Sequence, residues 1–103
     1  MKDYEKFLTL MAEEEFFKGF TWYVAADEGV GPYPVNATKD QLNEIINELE
    51  AAASGYLLLR NAQDTTVGSI LVLPYETTDQ ISDWSLGLPT KCKEILDYVV
   101  VGH

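Results

Sequence analysis

The chain has 103 residues, 47% of them apolar and 12% aromatic, with 17 acidic residues against 7 basic ones and a formal charge of −10. That length bounds it to one domain spanning 1–103, the apolar share excludes intrinsic disorder, and the negative field excludes direct binding to nucleic acid or to an anionic membrane. The opening MKDYEKFLTL is too charged for a secretory leader and no stretch reaches the roughly 18 apolar residues of a membrane span, while the single cysteine, Cys92, cannot pair within the chain, so a cytoplasmic location is expected.

The first element expected is a helix from about Asp3 to Lys18, with Tyr4, Phe7, Leu8 and Met11 on one face and Gly19 as its stop. Glu13, Glu14 and Glu15 fall late in it, where carboxylates face the negative end of the helix dipole at a cost of a few tenths of a kcal/mol each. Phe20 to Ala26, FTWYVAA, reads as a strand buried on both faces, because apolar and polar residues do not alternate. DEGVGPYPVN, with two glycines and two prolines, reads as a loop. Its Gly29-Val30-Gly31 lacks the lysine or third glycine of a phosphate-binding turn and follows two carboxylates, so a nucleotide cofactor is not expected.

Asn36 to Gly55 carries the clearest helix signal. Thr38 and Gln41 form a capping box, Leu42, Ile45, Ile46, Leu49 and Ala52 recur at helical spacing, and Ser54-Gly55 supplies a stop. Tyr56 to Arg60 and Val67 to Pro74 read as two antiparallel strands joined by NAQDTT, with Gly68 marking a bulge or a close backbone approach. In YETTDQISDWSLGLP, Thr78 or Asp79 is placed to cap a short helical turn reaching Trp84. Pro89 opens a last helix from about Thr90 to Val100, with Cys92, Ile95, Leu96 and Val99 on one face; the tail DYVVVGH is open between helix and strand. The order α-β-α-β-β-α predicts an α+β fold, a small mainly antiparallel sheet of about three strands with two or three packed helices.

No constellation of residues points to catalysis. The one histidine, His103, is terminal, Cys92 sits on an apolar helix face and reads as a buried structural thiol, and no acidic cluster has the spacing of a calcium loop, so neither enzyme activity nor a metal is expected. What stands out is charge. Between Asp40 and Pro89 eight acidic residues face one basic residue, Arg60. Asp40, Glu44 and Glu48 lie four apart on one helix row, with Glu50 on the next; like charges at that spacing cost roughly 0.2–0.5 kcal/mol per pair. Successive members are about 6 Å apart along the axis, near the spacing of phosphates on a nucleic-acid strand.

The reading that follows is a small acidic, non-enzymatic protein that inhibits or neutralises a partner with a basic, nucleic-acid-handling surface, such as a nuclease, toxin or nucleic-acid-binding complex. Asp40, Glu44, Glu48, Glu50, Asp79 and Asp83 would supply the charge, and Tyr33, Tyr56, Tyr75 and Trp84 the aromatic anchors that interface hot spots favour. Two alternatives are a homo-oligomeric interaction module, extending to a homodimer, and a small-molecule-binding domain with a sheet–helix pocket lined by Trp22, Tyr23 and Arg60. In size, acidity and single-domain build the chain resembles immunity proteins and phage-encoded inhibitors in a general way; no motif carries that resemblance, and it assigns no residue a role.

Overall fold

A computed structural model of the chain describes residues 2–25, 29–52, 55–75, 81–83 and 87–101. Thr78, Asp79, Trp84, Ser54 and His103 lie outside the described residues, as does the side chain of Asp83. The element order is α1 (Asp3–Ala12), a 3-10 turn (Glu15–Phe17), β1 (Thr21–Ala25), β2 (Val30–Pro34), α2 (Lys39–Ala52), β3 (Gly55–Arg60), β4 (Thr66–Val72), β5 (Ile81–Asp83) and α3 (Thr90–Val101). The α+β class is as expected, but the sheet has five strands in the order β2-β1-β3-β4-β5. Every neighbouring pair is antiparallel.

Both additional strands arise where the sequence signals something else. The proline- and glycine-rich loop contains β2, which pairs with β1 from Thr21–Pro34 to Val24–Val30. Prolines are compatible with this position because β2 is an edge strand, and a proline there need not donate to a neighbour. The predicted helical turn before Trp84 is instead β5, whose Ile81, Ser82 and Asp83 pair with Val72, Leu71 and Ile70. Backbone groups on β4 set that conformation more strongly than three residues' own propensity. The bulge expected at Gly68 falls beside it: Leu59 pairs with Gly68 but Arg60 pairs with Thr66, leaving Val67 as the extra residue.

β1 is not buried on both faces. Trp22 and Val24 are fully buried while Thr21, Tyr23 and Ala25 are half-buried, and the same alternation runs through Leu57 and Leu59 of β3 and Gly68, Ile70 and Val72 of β4. All three helices lie on the buried side. Tyr4, Phe7, Leu8 and Met11 of α1, Ile45 and Leu49 of α2, and Cys92, Leu96 and Val99 of α3 join the inward strand residues in one apolar cluster. Burial of a side chain of this size stabilises by roughly 1.5–3 kcal/mol, so this shared core is what holds helices to sheet.

α1 ends six residues short of the predicted Lys18. The Asn36 side-chain amide donates to the Ala12 carbonyl at 3.2 Å and the Glu14 carbonyl at 2.9 Å, satisfying acceptors that another helical turn would otherwise have to cover. Three adjacent carboxylates at the negative end of the dipole also disfavour continuation. The 3-10 turn then places Phe17 in the core, edge-on to Phe20 at 5.2 Å, and leaves Phe16 exposed. α2 starts as the capping box dictates, with Thr38 N–H donating to Gln41 Oε1 at 2.9 Å and Gln41 N–H to Thr38 Oγ1 at 3.2 Å. Gly55 is not its left-handed stop: it opens β3 opposite Val72. The ambiguous tail is helical to Val101.

Two glycines are required by what lies against them. A Cβ on Gly31, at φ +150°, would come within 2.9 Å of the Trp22 carbonyl and 3.2 Å of the Tyr23 ring; one on Gly87 would meet the Val67 carbonyl at 2.7 Å.

Candidate partner-binding surface

Residues spaced along α2 point outward by turns of about 100°, and this separates the helix into three faces. Ile45 and Leu49 enter the core, Leu42 and Ile46 are half-buried on the flank toward α1, and Asp40, Glu44 and Glu48 are exposed in a row. Among the described residues the ion pairs are Arg60–Asp64 at 3.4 Å and Lys91–Glu14 at 3.7 Å, and neither touches that row. Tyr33 of β2 stands next to it. Its hydroxyl is pushed above the ordinary value of 10.0 by burial first, then by the negative charges of Glu48 and Glu44. The structure therefore brings Tyr33, Asp40, Glu44 and Glu48 to one side of the molecule.

Glu50 belongs elsewhere. Half-buried at the C-terminal end of α2, it accepts a hydrogen bond from the Tyr4 hydroxyl at 2.9 Å, while its carbonyl accepts one from Tyr75 at 2.9 Å. Burial and the Glu50 carboxylate together raise the Tyr4 hydroxyl well above the usual tyrosine range. Lys2 completes the cluster, its ammonium 3.2 Å from the Pro74 carbonyl and 5.6 Å from the centre of the Tyr75 ring. Glu50 is thus committed to holding α1 on α2, and Tyr75, although 67% exposed, is anchored beside it rather than beside Tyr33.

Other expected contributors are scattered by the fold. Tyr56 lies on the side of the sheet away from the helices, and Asp83 is placed only by its backbone, opposite Ile70. The sheet–helix pocket with Trp22, Tyr23 and Arg60 does not form, since adjacent strand residues point to opposite faces. Trp22 is buried against Phe7 at 5.9 Å between ring centres, and Tyr23 carries the Arg60 guanidinium over its ring at 4.2 Å on the other face. Cys92 is fully buried. Among the described residues no group of three or more His, Cys, Asp or Glu side chains is arranged to hold a metal, and no helix is long and apolar enough to cross a membrane.

A feature invisible in the sequence lies beside the row. α1 and α2 are held together near both ends, by Tyr4–Glu50 at one and by Asn36 on the Ala12 and Glu14 carbonyls at the other. Between these ties they part over a trough of about 450 Å³. Ala12, Leu42 and Ile46 form its apolar floor, Glu5 and Glu13 rim it from α1, and Lys39 and Asn43 from α2. The only advance signal was that the apolar stripe of α2 is broader than its two fully buried residues need. A second hollow of about 310 Å³ lies between α1 and α3, and the Glu14–Lys91 ion pair belongs to its wall.

Comparison with protein-family models, with curated proteins and with solved structures finds no match.

Proposed function

We propose that this chain is a small, acidic, non-enzymatic protein that binds and neutralises a partner with a basic, nucleic-acid-handling surface, in the manner of an immunity protein or a phage counter-defence inhibitor that mimics nucleic acid. The observation that carries this reading is the exposed row Asp40, Glu44 and Glu48, which no ion pair reaches among the described residues and which stands next to a half-buried tyrosine, Tyr33. Aligned like charges lower helix stability slightly, and a cationic partner reverses the sign of that interaction. The row's axial spacing of about 6 Å matches a phosphate ladder, so the groove that receives it would be one built for nucleic acid.

The test is capture of the partner from a lysate of the source cells, followed by a nucleic-acid cleavage or binding assay of what is captured. The wild-type chain should retain a basic protein and block its action on DNA or RNA at about 50 mM salt and release it at about 500 mM, where screening shortens to a few ångströms. Asp40→Lys/Glu44→Lys/Glu48→Lys, folded by circular dichroism, should retain nothing. Retention unchanged by both salt and charge reversal defeats the proposal.

A second reading, a homo-oligomeric module, draws support from the far side of the sheet, where Tyr23, Tyr56, Leu58 and Leu71 are half-buried and no carboxylate occurs in β1, β2, β3 or β4. A copy carrying ten net negative charges approaches its like most easily through such a face. It predicts an oligomer in light scattering whose mass is insensitive to salt.

A further inference from the structure

The geometry points to the trough between α1 and α2 as the seat of a short amphipathic helix from the partner, with an apolar ridge and lysine or arginine on the flank that faces α1. This rests on the acidic-inhibitor reading and specifies what the partner inserts.

The trough is shaped for a helix. Glu5 to Glu13 spans about 12 Å of α1 and Lys39 to Ile46 about 10 Å of α2, at 1.5 Å per residue, so the floor is two turns long. Its walls run antiparallel, because the C-terminal end of α1 meets the segment entering α2 at Asn36 and its N-terminal end meets Glu50. A third helix laid between them places its i and i+3 or i+4 residues over Ala12, Leu42 and Ile46, the pattern by which amphipathic helices fill hydrophobic grooves. Nothing has to move first, since the end ties already set the width, and a preformed groove costs less to fill than one that must open.

The rim decides the chemistry of the flanks. Glu5 and Glu13 stand on the α1 side against one cation, Lys39, on the α2 side, in a chain of net charge −10. An acidic or neutral amphipathic helix would find the apolar floor but be repelled or ignored by the α1 wall. A cationic one is complementary to the α1 wall and to the negative field of the whole chain. The hollow between α1 and α3 offers less, because Lys91 and Glu14 on its wall are already paired. The trough shares α2 with the proposed site: Leu42 and Ile46 lie on the face toward α1, and Asp40 and Glu44 on the exposed face.

The experiment uses the full chain and three synthetic peptides of about 16 residues: a leucine–lysine amphipathic helix, a scrambled peptide of the same composition, and the leucine–glutamate counterpart. Affinity is read by fluorescence anisotropy, and position by methyl NMR shifts of Leu42 and Ile46. The amphipathic cationic peptide should bind at least about tenfold tighter than its scrambled form and shift both methyl groups, and the leucine–glutamate peptide should not bind. Ile46→Gln and, as an independent block that leaves the core alone, Asn43→Trp should each remove that preference while leaving the weak binding of the scrambled peptide unchanged. Equal binding of ordered and scrambled peptides, binding of the acidic peptide, or shifts confined to other faces would overturn the inference. These variants leave Asp40, Glu44 and Glu48 intact. A trough that fails while triple charge reversal still abolishes capture leaves the acidic row standing; failure of both removes the whole reading.

Discussion

On the helix side of the molecule, Glu5 and Glu13 rim half-buried Leu42 and Ile46, and Asp40, Glu44 and Glu48 are exposed on another face of α2; on the far side of the sheet, Tyr23, Tyr56, Leu58 and Leu71 are shared among three strands whose one charged residue is Arg60. Arg60 is itself set over Tyr23 and paired with Asp64. Both sides leave apolar surface partly open, so hydrophobicity does not distinguish them. Charge does: the four longer strands contain no acidic residue at all, and the helices and their flanks hold most of the described ones. An acidic composition thus need not mean an evenly acidic surface, and under the proposed function the side on which the carboxylates gather is the one that would select a cationic partner.

The sharpest way to break this contrast is to compare adjacent residues of β1. Trp22→Ala should cost about 3–5 kcal/mol in urea denaturation, because it empties the shared core. Tyr23→Ala, one residue on and facing outward, should cost about 1 kcal/mol. If the two are equal, the far side is covered as tightly as the core and the contrast is wrong.

Next in size are the ties that hold the trough. Tyr4→Phe and Asn36→Ala should each destabilise by about 1–2 kcal/mol, the worth of a hydrogen bond to a charged acceptor or of a helix-end cap. Both should also lower affinity for the cationic peptide more than Thr65→Ala, in the turn between β3 and β4 and outside the trough lining.

The Tyr4 tie carries a pH signature. Its folded-state value is raised above the ordinary 10.0, so folding stability should hold level up to about pH 10 and fall beyond it, as only the unfolded chain ionises there. Tyr33 acts with the same sign. Thermal melts above about pH 10 should therefore show a loss that Tyr4→Phe reduces; an unchanged slope in that variant would remove Tyr4 as its cause.

The smallest effect is the most telling about the row. Glu44→Lys converts two repulsive pairs, with Asp40 and Glu48, into attractive ones and should stabilise the chain by about 1 kcal/mol while weakening partner capture. A variant that gains stability and keeps full binding would show that the carboxylates merely solvate α2.

Local rules made much of this fold legible. Thr38 and Gln41 announced their capping box because both bonds lie within four residues, and α3 followed from Pro89 and the spacing of Cys92, Leu96 and Val99. β2 and β5 were not legible, because prolines in one and polar residues in the other obey pairing with strands already in place rather than their own preferences. Of the site, the row on α2 could be read from periodicity. The trough could not: Leu42 and Ile46 look the same in a sequence whether a helix neighbour covers them fully or stands off, and only the two distant ties, Tyr4–Glu50 and Asn36–Ala12, decide which.

The prolines of β2 have one more effect. Val35 donates its N–H inward to the Phe20 carbonyl at 3.0 Å, so by alternation Tyr33 also faces β1 while Pro32 and Pro34 turn their ring nitrogens to the outside. That rim of the sheet offers carbonyl oxygens without matching donors at two of its five positions. A foreign strand cannot be zippered onto it, which protects a chain rich in valine and leucine strands from templating fibrils and closes this rim to recruitment by strand addition.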